Sequence, residues 1–171
     1  MQLEYSEKMD AFYKGQHIEP FQPHMIDSGV AKGVIPFGSP LQLVSISEHY
    51  LAEQVEPLSS GAFHGVAVLV DHTEQDAYAV VTPGQNPGDD DVITEATAGF
   101  KDKAPVAIMK TGRVVVGLAS DATYGAEVVP SGAGFITGTH SGNFTADGNI
   151  KCIVHREADA NGLGIIEMFR I

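Results

Sequence analysis

The 171-residue sequence has no tryptophan, a single cysteine, and only 10 basic residues against 22 acidic ones. The lone Cys152 excludes an internal disulfide, and no Cys/His spacing indicates a zinc site. A net charge of −12 repels phosphate backbones and therefore disfavours a nucleic-acid partner. No apolar run reaches the roughly 20 residues of a membrane-spanning helix, and the N-terminus lacks a secretory signature. We therefore expect a soluble intracellular protein with no membrane partner.

The residue patterns of common reaction centres are also missing. The seven histidines form no HExxH pair, and the GxSxG signature does not occur. Three adjacent acids at 89–91 lack the alternating ligands of a calcium loop, which favours a solvated loop. The Gly-rich residues 131–138 have no following lysine or helix to bind phosphate, so they predict turns. We expect no metal, no cofactor and no catalytic residue, with Cys152 as an inert small hydrophobe.

Hydrophobic residues make up 43% of the chain, which is enough for a core at this length. They are concentrated in short β-branched runs between Gly, Pro and Asp clusters, a pattern typical of strands. Gly65 predicts a bulge or close contact, Asn161-Gly162 predicts a hairpin, and residues 47–55 predict one short helix. We expect an all-β small barrel or sandwich with at most one or two short helices. The predicted strands cover residues 41–46, 63–70, 77–82, 150–154 and 163–171.

Residues 106–130 form the most regular stretch of the sequence. The apolar residues before Lys110 predict one strand, and the polar Lys110-Thr111-Gly112-Arg113 predicts a tight turn. The valines at 114–116 then predict a second strand, and a loop at 121–125 precedes a third strand. We interpret this stretch as a rigid platform.

Residues 1–34 show neither a strand period nor a helix period, yet they contain many aromatic and large apolar residues. A disordered tail usually lacks so many aromatics, although a floppy tail stays open as an alternative. We predict an extended N-terminal arm over 1–34, which packs against the chain's own body or a neighbouring molecule, and a β-rich body over 35–171.

The order of several segments resembles the structural cement, or capsid decoration, proteins of tailed bacteriophages. Gly65-Val66-Ala67 lies in an early strand, and the PVAIMKTGRVVV segment at 105–116 follows. Residues 124–129 (YGAEVV), a Gly-rich spacer and a terminal strand after Asn161-Gly162 complete the order. The arm also contains the family's Gly-Gln pair, here Gly15-Gln16. The resemblance implies a non-enzymatic protein that binds the outside of an icosahedral capsid and cements its capsomers.

Several further expectations follow from this resemblance. The partner is a major capsid protein, the chain is a homo-oligomer (a dimer or trimer), and its location is the virion after a soluble state in the host cytoplasm. Two alternatives stay open: a trimeric nucleotide hydrolase of the dUTPase type, and a virion fibre or carbohydrate-binding module. The predicted apolar anchors to the capsid or to neighbouring subunits are Tyr5, Phe12, Tyr13, Phe21 and Met25, and the predicted polar contacts are Lys110 and Arg113.

Overall fold

The computed structural model describes residues 14–18, 25–46, 53–69, 99–139 and 150–171. These residues form strands and connecting loops and contain no helix, which confirms the predicted all-β class. Within them, no helix is long and apolar enough to cross a membrane. The strands are β1 (His17–Ile18), β2 (Met25–Ala31), β3 (Ile35–Pro36), β4 (Pro40–Ile46), β5 (Glu53–Pro57), β6 (Phe63–Val68), β7 (Gly99–Phe100), β8 (Pro105–Gly117), β9 (Glu127–Ser131), β10 (Gly134–Thr137), β11 (Ile150–Arg156) and β12 (Leu163–Arg170).

Strand β8 is shared by the two halves of the molecule. Its first half pairs with β2 on one side and with β6 on the other, and the order β8-β2-β5-β4-β6 closes a five-stranded barrel. Its second half pairs with β12, from which the sheet continues through β11 and β9 to β10. The neighbour on one side changes from β2 to β12 between Thr111 and Gly112, where Gly112 has a φ of 125°. Glycine permits this backbone angle without strain.

Two apolar clusters fill the two halves. The barrel interior contains nine buried side chains, with Phe37 and Phe100 in an edge-to-face contact at 5.0 Å between ring centroids. The larger cluster lies under the second sheet, where Phe63 meets Phe135 in the same geometry at 5.9 Å. Residues from β8 contribute to both clusters, so this strand joins the two cores.

Most of the predicted strands inside the described residues are confirmed. Strands β4, β6, β9, β11 and β12 lie where the β-branched runs predict them. The predicted close contact at Gly65 is confirmed, since a Cβ there would lie 2.7 Å from the carbonyl oxygen of Met109. The predicted hairpin at Asn161-Gly162 joins β11 to β12, and Gly162 has a φ of 75°. The strand predicted over 77–82 and the acidic loop at 89–91 lie outside the described residues.

The tight turn predicted at Lys110-Thr111-Gly112-Arg113 is wrong. These four residues continue β8, which runs without a turn over 13 residues. The polar residues break the apolar pattern without breaking the strand, because Lys110 has acidic partners on two other strands of the barrel, β2 and β5. The loop at 121–125 and the strand after it are confirmed.

The helix predicted over 47–55 is wrong at its C-terminal end. Glu53–Pro57 form β5, which pairs with β4 on one side and β2 on the other. Val55 is fully buried in the barrel, and this burial overrides a weak helical period. Residues 47–52 lie outside the described part of the chain.

The predicted arm contains two strands that belong to the sheet. Although residues 1–34 show no strand period, β1 and β2 both pair with β8. Strand β2 carries small and polar residues such as Asp27, Ser28 and Gly29, which hide its pattern in the sequence. The division of the chain at residue 34 stays a prediction.

Candidate binding surface

The five predicted apolar anchors are not tested by the structure. Tyr5, Phe12, Tyr13 and Phe21 lie outside the described residues. Met25 is the first residue of β2, and its backbone pairs with Thr111, but its side chain is not among those described. The capsid-contact or subunit-contact role of all five residues stays a prediction.

Residues 14–18 of the arm bind to the chain's own body. Gly15 donates its backbone N–H to the carbonyl of Val115 at 2.8 Å, and its carbonyl accepts the N–H of Leu69 at 2.8 Å. Gly15 has a φ of 77°, and a Cβ on it would lie 2.8 Å from the Cβ of Phe37. Only glycine fits this position comfortably. The sequence predicts an arm that packs against the chain's own body or a neighbouring molecule, and residues 14–18 pack against the chain's own body.

Residues 14–18 also cover apolar side chains on the outward side of β8 and β12. Val115, Leu163 and Ile165 are buried on this side, and Ile18 packs against them. A short strand from the N-terminal region thereby shields apolar side chains that would otherwise face water. Burial of such side chains stabilises a fold by roughly 25 cal/mol for each Å² of apolar surface.

Lys110 lies inside an ion-pair network that spans four strands of the barrel. Its ammonium nitrogen is 2.9 Å from Asp27 Oδ2 on β2 and 3.6 Å from Glu53 Oε1 on β5, and its side chain is only 3% exposed. The other carboxylate oxygen of Glu53 contacts Nε2 of the buried His64 on β6. Because an ammonium loses its hydration when it is buried, the two carboxylates are needed to compensate its charge.

Arg113 faces the outward side of the second sheet. Its Nη2 is 3.4 Å from Glu167 Oε2 on β12, and Nδ1 of His155 is 4.0 Å from the same oxygen. The Arg113 side chain is about a fifth exposed. Of the two predicted polar contacts, Arg113 is therefore the one whose side chain reaches solvent, and the contact role of both stays a prediction.

The loop between β5 and β6 is fixed by a single buried side chain. Gln42 Oε1 accepts backbone N–H groups from Ser59, Ser60 and Gly61 at 2.8–3.2 Å. Its Nε2 donates to Glu56 at 2.7 Å, and this bond, followed by that of Lys32, lowers the pKa of Glu56 below its usual range. Three satisfied N–H groups make this exposed loop a rigid part of the body.

The described residues show no arrangement suited to metal binding or thiol chemistry. No group of three or more His, Cys, Asp or Glu side chains among them is placed to hold a metal ion. Cys152 is buried in the larger core, and burial, with a smaller effect of Glu127, raises the pKa of its thiol far above the usual value. A thiol in this state is a packing group, as the sequence predicts.

Comparison with known families identifies the class of protein. A family model described as structural cement protein (E217 gp24/Pam3 gp6) matches residues 1–168. The chain belongs to this family of phage cement proteins. The resemblance inferred from the sequence is thereby confirmed, and the match extends through the arm as well as the body. A search of curated proteins finds no match.

Membership in the cement family supports a structural role, capsid association and a location on the virion. The family is a structural one, which favours a non-enzymatic role over the nucleotide hydrolase alternative. It implies association with a phage capsid and a location on the virion.

Sequence reasoning missed the partners of Lys110 in this cement protein. Asp27 and Glu53 stand far from Lys110 along the chain, and only the barrel brings the three residues together. One signal was present in the sequence. A lysine within a continuous β-branched run predicts either a turn or a buried cation with acidic partners, and here the second holds.

Proposed function

We propose that this cement protein binds the outside of an icosahedral phage capsid, contacts the major capsid protein and locks neighbouring capsomers together. The observation that supports the proposal is the family match over residues 1–168, which includes arm and body. The all-β body supplies the rigid part that such a role requires, with two cores joined through β8. The role needs no reaction centre.

In this proposal the arm supplies the apolar contacts. Tyr5, Phe12, Tyr13, Phe21 and Met25 act as anchors against the capsid or against neighbouring subunits of a dimer or trimer. Large aromatic side chains contribute most to protein interfaces when they fill pockets of the partner. Main-chain strand addition is a compatible mode, since residues 14–18 already add a strand to the body.

Charge supports a soluble state in the host cytoplasm before assembly. The described residues contain nine basic and nine acidic residues, so the acidic excess lies in the remaining segments, with one basic and 13 acidic residues. A net charge of −12 discourages non-specific self-association and capture by DNA. The proposed partner is therefore protein.

Binding to empty shells tests the role of the arm. We expect full-length protein to co-sediment with shells that lack it, and Tyr5→Ala/Phe12→Ala/Tyr13→Ala to bind at least about tenfold more weakly, because aromatic anchors are often worth more than 1 kcal/mol each. The matched control is Tyr124→Ala, which removes a tyrosine of the body that is 70% exposed. Equal binding by the triple variant and the wild type would refute the arm contacts.

A further inference from the structure

Two exposed loops lie side by side at one end of the barrel. Residues 32–34 connect β2 to β3, and residues 101–104 connect β7 to β8. Gly33 donates its N–H to Asp102 Oδ1 at 2.7 Å, and Lys103 donates its N–H to the carbonyl of Ala31 at 2.9 Å. We call residues 32–34 and 101–103 the lysine tip. All six are exposed, and they include Lys32, Lys101 and Lys103.

The lysine tip carries a net positive charge, because it contains three lysines and one aspartate. Lys101 and Lys103 form no ion pair with any residue in the described ranges, whereas Lys32 pairs with Glu56 at 3.2 Å. Asp102 accepts the N–H of Gly33 and contributes the one negative charge of the tip. Several other cations of the body have carboxylate partners, as Lys110, Arg113 and Lys151 show.

Lys103 also has a strained backbone. Its φ is 63°, and it is the one non-glycine residue of the described chain with a positive φ. Glycine or asparagine adopts this conformation at lower cost. The turn therefore carries a lysine where its own geometry would favour glycine, and strain of this kind is concentrated at binding sites.

We propose that the lysine tip is a docking surface for an acidic protein surface on the capsid. The inference rests on the proposed capsid binding and adds a second contact besides the arm. Val34 is 46% exposed between the lysines and supplies an apolar contact. An acidic protein surface is the partner whose charge complements the three lysines of this tip.

The test compares two double variants of the full-length chain for binding to empty, DNA-free shells. Lys101→Gln/Lys103→Gly removes the two lysines of the tip that form no ion pair with a described residue, and Lys151→Gln/Arg170→Gln removes the same charge elsewhere on the body. We expect the first variant to associate about three- to tenfold more slowly at low salt, with a smaller difference at high salt, because exposed charges act mainly through steering. We expect the control pair to have little effect.

Thermal unfolding completes the test, since the glycine at position 103 relieves backbone strain. The first variant is expected to unfold at or above the wild-type temperature while it binds more weakly. Unchanged shell binding by this variant, with wild-type binding intact, overturns the lysine tip alone. A lower unfolding temperature with unchanged binding assigns the lysines to a contact within the chain and also overturns it. A wild-type chain that fails to bind shells overturns the proposed function as well.

Discussion

Removal of residues 1–32 is expected to abolish the fold of this cement protein. The deletion takes β2 out of the closed barrel, where β2 lies between β5 and β8 and pairs with both. It also removes Ile18 from the cover of Val115 and the fully buried Ala31 from the barrel core. We expect this loss to be comparable with the total free energy of unfolding of a typical domain, on the order of 5–15 kcal/mol.

Circular dichroism during urea unfolding measures this effect directly. We expect the chain without residues 1–32 to show no cooperative transition. The control is a chain that begins at Lys14, which retains every described strand and should unfold cooperatively. A cooperative transition at the wild-type urea midpoint for the shorter chain would contradict the role of β2. Because β1 and β2 belong to the sheet, an arm truncation for shell-binding studies should end before Lys14.

The second large effect is expected at the buried ammonium of Lys110. Asp27→Asn with Glu53→Gln keeps the shapes of both partners and removes both negative charges beside an ammonium that is 3% exposed. Removal of the negative partners of a buried charge weakens its compensation and costs about 3–5 kcal/mol. We therefore expect this double variant to lower the free energy of unfolding by about that amount, measured by urea titration.

A third substitution separates loss of charge compensation from loss of packing. Lys110→Met added to the double variant removes the buried charge, so we expect it to recover most of the lost stability. Replacement of a buried ion pair by well-packed apolar groups often leaves the free energy of unfolding unchanged or raises it. Glu127→Gln serves as the control, since it breaks a more exposed pair with Lys151 and should cost at most about 1 kcal/mol. A double variant as stable as that control would show that the carboxylates do not stabilise Lys110.

The sequence predicts those strands of the body that carry a continuous apolar run, such as β6, β11 and β12. It does not predict β2, because Asp27 and Gly29 interrupt the pattern although both sides of this strand are paired. The sequence pattern likewise gives a wrong helix at β5 and a wrong turn at the centre of β8. In each case at least one pairing strand is distant in sequence, and neither hydrophobic period nor turn composition reports such a contact.

The binding surface is less predictable than the fold. The sequence indicates the aromatic residues of the arm as candidate contact residues only because they are so numerous. The lysine tip is not visible in the sequence, since Lys32 and Lys101 lie far apart along the chain. The pairing of β3 with β7 and of β2 with β8 brings the two loops together. The left-handed backbone of Lys103 likewise follows from the closed turn at 101–104, not from a turn-forming residue.

Electron cryo-microscopy of empty shells incubated with the full-length chain tests the central claim most directly. We predict density for the all-β body on the outer surface of the shell, at the contacts between neighbouring capsomers, with ordered density for the arm against the major capsid protein. Density on the inner surface, or bare shells in the presence of folded protein, would contradict the proposed role.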